Sequence, residues 1–223
     1  MNLIKQYNGF AKDYSHIIKD KALYSRRVFY KYFNFPLTGR KILDAGCGDG
    51  TELLYCTKHK AEAFGIDSSK EMIHLAGQNA PLAKTVVGDF SRLPFSDHFF
   101  DAVISKHALQ SSANVEPILK EFYRVLKPKG ILLYLSVHPL RQFMEKKKKK
   151  KDYFQKEKVE SILFGGLLKV TEPTHTFNEY LSAWFLKNFD ICEFEECFDP
   201  YSAEKVDGSS YPGFFIVKAQ KRR

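Results

Sequence analysis

Residues 41–50 read Lys41-Ile42-Leu43-Asp44-Ala45-Gly46-Cys47-Gly48-Asp49-Gly50, a short apolar strand followed by a glycine-rich turn. Asp44 stands where the strand ends, and three glycines then alternate with other residues before Thr51 begins a predicted helix. Alternating glycines at such a turn allow a positive φ and let a ligand approach without meeting Cβ atoms. The free amides at the start of the helix add partial positive charge at the same point. The segment therefore predicts a ligand-binding turn.

The spacing of these glycines excludes two common nucleotide-binding loops. A dinucleotide fingerprint, Gly-x-Gly-x-x-Gly from Gly46, would need a third glycine at position 51, which is Thr51. A phosphate-binding loop would need Gly-Lys-Ser or Gly-Lys-Thr, and the segment contains neither. The pattern that remains is Asp-x-Gly-x-Gly-x-Gly, and a turn with a structural role only is the alternative interpretation.

The composition predicts one globular domain without a membrane span. The chain has 223 residues, of which 44% are hydrophobic and 15% aromatic, enough to bury a sizeable core. No apolar run approaches the roughly 20 residues that cross a bilayer, and the first six residues carry no secretory segment. We therefore expect a soluble, cytoplasmic protein.

The four cysteines predict reduced thiols and no metal site. They form no Cys-x-x-Cys pair and no cluster with histidine. They are Cys47, Cys56, Cys192 and Cys197.

The net charge of +9 is concentrated in two places. Six lysines run from Lys146 to Lys151, and four more basic residues lie at Lys218, Lys221, Arg222 and Arg223. Without these ten basic residues the chain has 25 basic and 26 acidic residues, so the rest of it is nearly neutral. A lysine run of this kind is typical of a solvated loop, and nucleic acid is the weaker of the possible partners.

Apolar strands alternate with helical patterns along the first part of the chain. The predicted strands cover 42–43, 63–66, 85–87, 100–104 and 131–137, and the predicted helices include 21–33, a segment capped by Ser68 or Ser69, and 115–126. Strands joined by crossover helices must pair in parallel, and right-handed crossovers build a doubly wound sheet. Ligands of such sheets bind beyond the carboxyl ends of the strands. Polar residues stand at those ends, which indicates a site: Asp44, Asp67, Asp89, His107 and His138.

The later part of the chain is less regular. Residues 139–172 carry the lysine run and a Gly165-Gly166 pair, and they are expected to be an irregular insertion or lid. Three elements are expected to follow: a helix over 176–188 capped by Thr176, a strand over 190–194 and an antiparallel final strand over 213–219. The final strand is apolar enough to be central, and we expect it to end the sheet. The whole chain is then one α/β domain with a mostly parallel seven-stranded sheet.

Five motifs in order resemble the class I S-adenosylmethionine-dependent methyltransferases, in the ubiquinone-biosynthesis-like (type 11) branch. The resemblance is good from about Tyr7 to Val137 and loose beyond. The motifs are the segment from Ile42 to Gly50; Gly65-Ile66-Asp67-Ser68-Ser69 with Met72; Gly88-Asp89 with Leu93-Pro94-Phe95; Phe100-Asp101-Ala102-Val103; and the segment from Arg124 to Gly130.

The resemblance implies a Rossmann-like fold, with a methyltransferase domain over 1–223, and S-adenosyl-L-methionine as the cofactor. Residues 1–38 would be an N-terminal helical lid, 39–138 the cofactor-binding core, 139–172 the insertion and 173–223 the C-terminal helix and strands. Asp67 would accept both ribose hydroxyls, and Asp44 would fix the loop or the cofactor's amino group. The other implied cofactor-binding residues are Tyr7, Tyr14, Gly46, Cys47, Gly48, Ser68, Met72, Asp89, Phe90, Ser105 and Lys106.

The departures from the family pattern concern the lid and the acceptor. Many relatives have Tyr-Asp where this chain has Tyr7-Asn8, and many have an arginine where Thr176 stands. An acceptor different from theirs would follow if that arginine pairs with an acidic group.

The resulting hypothesis is methyl transfer to a small-molecule acceptor by in-line displacement. A base is needed only if the acceptor must lose a proton, and His138, His107 and His175 are the candidates, with His138 placed first. The first alternative is an RNA (tRNA) methyltransferase that grips phosphate with its lysine run and basic tail. The second is a catalytically idle cofactor-binding protein.

Overall fold

Helices and strands alternate along the chain in the computed structural model, which describes residues 8–9, 23–146, 152–163, 168–199 and 210–223. The expected lid residues Tyr7 and Tyr14, and residues 147–151 of the lysine run, lie outside this part. The elements are α1 (Leu23–Lys31), β1 (Lys41–Ala45), α2 (Thr51–Lys58), β2 (Glu62–Asp67), α3 (Lys70–Asn79), β3 (Lys84–Val87), β4 (Phe100–Lys106), α4 (Val115–Val125), β5 (Leu126–Val137), α5 (Pro139–Arg141), β6 (Lys158–Leu163), β7 (Leu168–Pro173), α6 (Phe177–Tyr180), α7 (Ala183–Asn188), β8 (Phe189–Cys197) and β9 (Phe214–Lys221). A 3-10 turn over Leu109–Ser111 and a π-helix over Gln142–Lys146 complete the set.

Seven strands form one sheet in the order β3-β2-β1-β4-β5-β9-β8. β1 pairs in parallel with β2 and β4, β2 with β3, and β4 with β5, whereas β9 is antiparallel to both of its neighbours. The expected doubly wound, mostly parallel sheet of seven strands is confirmed. The strand order reverses between β1 and β4, so the binding crevice of such a fold lies beyond their carboxyl ends.

Helices cover both faces of the sheet. α4 carries apolar residues at the three- and four-residue spacing of a buried helix face: Val115, Ile118, Leu119, Phe122 and Val125. It packs with α6 and α7 over Leu43, Val103 and Tyr134. α1, α2 and α3 cover the other face over Ile42 and Ile104. Each large side chain buried in these layers contributes about 1.5–3 kcal/mol, which holds the strand tips in a fixed arrangement.

The final strand differs in position from the expectation. β9 pairs antiparallel as predicted, but it lies between β5 and β8 and does not end the sheet. Phe214, Phe215, Ile216 and Val217 are all buried, as a strand covered on both faces requires. β8 forms the edge, where Ile191 and Phe194 are 39% and 43% exposed.

The interpretation of residues 139–172 as irregular is wrong for the helical residues 139–146 and for two strands. β6 and β7 pair as an antiparallel two-stranded sheet, with Val159 opposite Glu172 and Ser161 opposite Val170. All four of these side chains are buried, so inward positions recur with the period of a strand. Two of the four are polar, and Ser161 donates to Glu172, which is why hydrophobic alternation did not reveal the strands.

The expected helix over 176–188 is two short helices. Thr176 caps α6 through a capping box with Glu179, as predicted. The chain then turns at Leu181, and the Ser182 hydroxyl accepts the Phe185 amide hydrogen at 3.2 Å to begin α7. A second capping residue six positions after the first therefore divides the segment.

Across the described residues, no helix has the length and apolar character needed to cross a bilayer.

Candidate active site

The glycine turn after β1 lies against the end of β2. Gly46, Gly48 and Gly50 have φ values of 80°, 51° and 78°, which side chains with a Cβ adopt only with strain. The amides of Gly46 and Cys47 donate to the Ile66 carbonyl at 2.8 and 3.0 Å. A Cβ on Gly46 would lie 2.4 Å from the Ala108 Cβ. The turn therefore needs glycine for its conformation and for its close approach to the segment after β4.

Asp67 at the tip of β2 completes this arrangement. One carboxylate oxygen accepts the Gly48 amide hydrogen at 3.0 Å, and the other accepts that of Ser69 at 2.9 Å. Burial raises the pKa of Asp67, although these amides oppose the rise. Each oxygen still has a lone pair for a further donor, so the side chain can accept two hydroxyls while it holds the turn.

Asp44 presents an unpaired oxygen at the tip of β1. The residue is 2% exposed, and its Oδ2 atom is buried without a hydrogen-bond partner among the described residues. Burial, with the negative charge of Glu52, raises the pKa of Asp44 well above its usual range. A buried carboxylate oxygen without a donor is costly, so this position favours a ligand that brings a donor or a positive charge.

A buried cluster of charges lies beside Asp44, and two of its members were not predicted from the sequence. The Oε1 atom of Glu52 contacts Nε of Arg26 at 3.2 Å and Nζ of Lys106 at 3.3 Å. Burial alone would raise the pKa of Glu52, but Lys106 and Arg26 lower it. Lys106 was predicted, whereas Arg26 and Glu52 were missed. The available signal was an acidic residue immediately before the buried Leu53 in α2.

The predicted adenosine side is assembled from the ends of β2 and β3. The Ser69 hydroxyl caps α3 by accepting the Met72 amide hydrogen at 3.1 Å, and Met72 is 1% exposed. Ser68 and Asp89 are exposed, and the Asp89 carboxylate accepts the Ser91 amide hydrogen at 2.8 Å. These side chains therefore border the crevice from the side of β3.

The predicted residues Phe90 and Ser105 both lie close to the glycine turn. A Cβ on Gly46 would be 3.6 Å from the Phe90 ring. Ser105 is buried and donates its hydroxyl to the Ala45 carbonyl at 2.8 Å, so it joins the ends of β1 and β4.

The ring of His138 is fully engaged. Its Nδ1 atom accepts the Leu140 amide hydrogen at 3.0 Å, so the proton of the neutral ring resides on Nε2, which lies 2.8 Å from Glu196 Oε1. Burial lowers the pKa of His138, and Glu196 opposes that change. His138 therefore caps α5 and has no nitrogen available to take a proton.

The ring of His175 is also engaged at both nitrogens. Nδ1 lies 3.1 Å from Glu179 Oε2, and Nε2 lies 3.1 Å from the Gln110 carbonyl oxygen. Both nitrogens of the ring therefore face acceptor atoms. Burial would raise the pKa of Glu179, but hydrogen bonds from His175 and Lys156 lower it to about 2. These contacts give His175 a structural position beneath the insertion.

His107 differs from the other two histidines. Its backbone has a φ of 53° and is held by hydrogen bonds from its amide to Leu135 and from the Gln110 side chain to its carbonyl. Among the described residues, its half-buried ring has no hydrogen-bond partner. Burial, with the positive charges of Lys106 and Arg141, lowers the pKa of His107 well below its usual value. The ring is therefore neutral at pH 7 and can accept a proton.

The described parts of the chain bring no three His, Cys, Asp or Glu side chains together as metal ligands.

Comparison with known protein families identifies the region that carries these features. A sequence profile described as "Methyltransferase domain" matches residues 43–134, from β1 into β5. The chain is 34% identical over 113 residues to phthiotriol/phenolphthiotriol dimycocerosates methyltransferase 1 of Mycobacterium ulcerans. The aligned region covers 49% of this chain and 42% of that protein. It is 28% identical over 202 residues to an uncharacterised protein of Methanocaldococcus jannaschii. This alignment covers 86% of this chain and 77% of the relative. The chain thus spans less than half of the mycobacterial relative.

The fold also occurs among solved structures. An S-adenosylmethionine-dependent methyltransferase from Mesorhizobium loti superposes with a TM-score of 0.69 at 21% identity, over 85% of this chain and 94% of that one. At this identity the likeness establishes a shared fold.

Proposed function

We infer that this protein, which belongs to the class I S-adenosylmethionine-dependent methyltransferases, transfers the methyl group of that cofactor to a small-molecule acceptor by in-line displacement. One observation carries the proposal. The Oδ2 atom of Asp44, which has no hydrogen-bond partner among the described residues, lies at a strand tip next to the glycine turn and the Asp67 carboxylate.

These three features fit the chemistry of the cofactor. Asp44 would take the ammonium group of the methionine part, which provides the donor that its buried oxygen lacks. The turn over 46–50 would lie along the methionine part of the cofactor, because its three glycines carry no side chains. Asp67 would accept the two ribose hydroxyls with the lone pairs that Gly48 and Ser69 leave free.

The cofactor, when bound, supplies a methyl group activated by the positive charge on its sulfur. The protein's own contribution is to hold this donor and the acceptor in line, which can be worth about 7–11 kcal/mol. Ser105 joins the tip of β4 to that of β1 through the Ala45 carbonyl. The amides of the glycine turn join β1 to β2 through the Ile66 carbonyl. A rigid crevice of this kind limits the acceptor to poses close to the attack geometry.

We propose His107 as the general base for an acceptor that must lose a proton. Its ring is neutral and free of described hydrogen-bond partners, whereas His138 and His175 have both nitrogens engaged. The sequence-based order placed His138 first, and the contacts favour His107. Gln110 supports the base because its side chain fixes the His107 carbonyl at 2.7 Å.

A small-molecule acceptor is favoured over RNA by the state of the basic tail. Lys221 is 3% exposed and donates to the carbonyls of Tyr123 and Leu126, both at 2.7 Å. Lys218 pairs with Glu193 at 2.8 Å, and Arg222 pairs with Asp190 at 2.8 Å. Three of the four basic residues of the tail are thus engaged in contacts within the protein, which makes them poor phosphate ligands. The mycobacterial relative is itself named for phthiotriol and phenolphthiotriol dimycocerosates.

The cytoplasm is the proposed compartment, supported by four cysteines that are all free thiols.

Release of S-adenosylhomocysteine tests this proposal against the idle cofactor-binding alternative. The purified chain is incubated with S-adenosylmethionine and fractionated small molecules, and the spent cofactor is measured. We expect release that depends on an added acceptor and is lost in Asp67→Asn. Cofactor binding without acceptor-dependent release from any fraction would contradict the proposed activity.

A further inference from the structure

His107 has a left-handed backbone although it is not a glycine. Its φ of 53° lies in the region that is costly for a residue with a Cβ, and it directly follows β4. The next residue, Ala108, packs closely on the glycine turn, because a Cβ on Gly46 would lie 2.4 Å from the Ala108 Cβ. Costly backbone conformations persist only where the surrounding structure holds them. The contacts that hold His107 therefore decide where its ring lies.

Gln110, in the 3-10 turn that follows, makes one of these contacts. Its side-chain amide donates to the His107 carbonyl at 2.7 Å, and the residue is 5% exposed. The main-chain carbonyl of Gln110 faces Nε2 of His175 at 3.1 Å, which ties the turn to the segment after β7. The main chain of Gln110 is thus fixed while its side chain fixes the backbone of His107.

Ser136 and Tyr180 extend this contact into a chain of hydrogen bonds. The Ser136 hydroxyl lies 3.2 Å from Oε1 of Gln110 and 3.0 Å from the Tyr180 hydroxyl. A carbonyl oxygen can only accept, so the single hydrogen of Ser136 goes to Gln110 and the Tyr180 hydroxyl donates to Ser136. Both hydroxyl residues are completely buried. Burial raises the pKa of Tyr180, so this phenol keeps its proton. Every donor in the chain therefore points toward His107.

A buried chain with one direction makes a firm support for the backbone that it ends on. Each hydrogen bond polarises the next, and the low local dielectric strengthens all of them. The members of the chain belong to the 3-10 turn, β5 and α6, so elements that are distant in sequence hold the same carbonyl. A base acts only within hydrogen-bond reach of the proton that it takes. The support therefore fixes where the ring of His107 can act.

We propose that Ser136 and Tyr180 are positioning residues that act through Gln110 to hold His107 against the glycine turn. The inference rests on the proposed function, because it gives these residues a role toward the proposed base. Ser136, Tyr180 and Gln110 themselves touch neither the cofactor nor the acceptor. Loss of the chain should release His107 from its left-handed conformation and admit water to its ring.

Nuclear magnetic resonance of the histidine rings tests this inference without an acceptor. The full chain is labelled with isotope-enriched histidine, and the signal that disappears in His107→Gln belongs to His107. Among the described residues, the charges that act on this ring are those of Lys106 on β4 and Arg141 on α5, and the uncharged ring of Phe214 on β9 lies 6.1 Å away. Burial and the two charges lower the pKa of His107 in the wild type, so we expect its titration midpoint to lie below the ordinary value of 6.5.

Gln110→Met and Ser136→Ala each remove one link of the chain. Methionine keeps the length of the glutamine side chain without its amide, and alanine removes only the hydroxyl. In each variant we expect the His107 midpoint to rise toward its ordinary value by about one pH unit, because water then reaches the ring.

Tyr134→Phe is the matched control for both variants. Tyr134 is also completely buried on β5, and its hydroxyl also makes a hydrogen bond, at 3.2 Å to the Tyr180 carbonyl, but it lies outside the chain. Its loss should weaken the fold to a similar extent and leave the His107 midpoint at the wild-type value.

The midpoints decide between a positioning role and a structural one. A wild-type midpoint in either folded variant would overturn the inference, and so would an equal rise in Tyr134→Phe, which would mean that β5 has only loosened. A wild-type midpoint at or above 6.5 would overturn it as well. Ser136→Ala is sufficient if Gln110→Met does not fold. Failure of the proposed function is seen separately, as a wild-type chain that does not bind S-adenosylhomocysteine, and the histidine titrations then still report on the chain of hydrogen bonds.

Discussion

The Asp67 carboxylate accepts the amide hydrogen of Gly48 at 3.0 Å, so the tip of β2 and the turn after β1 form one unit. The same side chain accepts the Ser69 amide hydrogen at the start of α3. One carboxylate therefore fixes the turn and the helix between which the cofactor's ribose is proposed to lie.

Replacing Asp67 by asparagine should weaken cofactor binding more than it weakens the fold. The amide keeps one acceptor oxygen but loses the charge and the second acceptor, so we expect the dissociation constant for S-adenosylhomocysteine to rise by about 10- to 100-fold. Calorimetry measures the change. Asp190→Asn, at the start of β8 and paired with Arg222, is the control and should bind normally. Unchanged affinity in Asp67→Asn would show that Asp67 does not bind the ribose.

Two glycine substitutions should have opposite effects on stability. Gly46→Ala places a Cβ at a φ of 80° and 2.4 Å from Ala108, so we expect the free energy of unfolding to fall by about 1–3 kcal/mol. Gly77→Ala adds a Cβ inside α3 with nothing within 4 Å, and we expect a gain of about 0.5–1 kcal/mol. Urea denaturation measures both. Equal changes would mean that the turn does not require its left-handed conformation.

The proposed base should give the activity a characteristic pH dependence. Burial, Lys106 and Arg141 lower the pKa of His107, so the neutral form that accepts a proton persists below pH 6.5, and the acid limb of kcat/KM should lie below that value. His107→Gln should reduce kcat by about 10²- to 10⁴-fold with cofactor affinity retained.

His59→Gln is the control for this prediction, because His59 follows α2 at the far end of the sheet and is exposed. It should leave kcat and the pH profile unchanged. An acid limb at or above pH 6.5, or full activity in His107→Gln, would exclude His107 as the base.

Glu179 should contribute to stability at neutral pH and lose that contribution in acid. Burial would raise its pKa, but His175 and Lys156 lower it to about 2 from an ordinary value of 4.5. A carboxylate with a depressed folded-state pKa stabilises the protein above its unfolded value, and the contribution disappears as the pH falls toward the folded value. The difference in unfolding free energy between the wild type and Glu179→Gln should therefore be constant above about pH 5.5 and shrink below pH 4.5. A difference that grows in acid would contradict this assignment.

The sequence predicted the elements whose signals are local. β1 to β5 and their polar tips follow from apolar runs that end in Asp44, Asp67 and His107, and the structure places these residues at strand ends. The strands β6 and β7 were not predicted because two of their inward side chains, Ser161 and Glu172, are polar.

Contacts between residues that are distant along the chain could not be predicted from the sequence. Arg26 meets Glu52 across 26 positions, and His138 meets Glu196 across 58. Which histidine keeps a free nitrogen depends on such contacts, so the pattern of strand ends could nominate the three histidines but could not rank them.

Titration calorimetry of the wild-type chain with S-adenosylhomocysteine tests whether the strand tips form a cofactor site. We predict saturable binding at one site with a dissociation constant of about micromolar order, because Asp44 and Asp67 provide acceptors for the ammonium group and the ribose hydroxyls of the ligand. No measurable binding of S-adenosylhomocysteine or S-adenosylmethionine at ligand concentrations up to about a millimolar would contradict it.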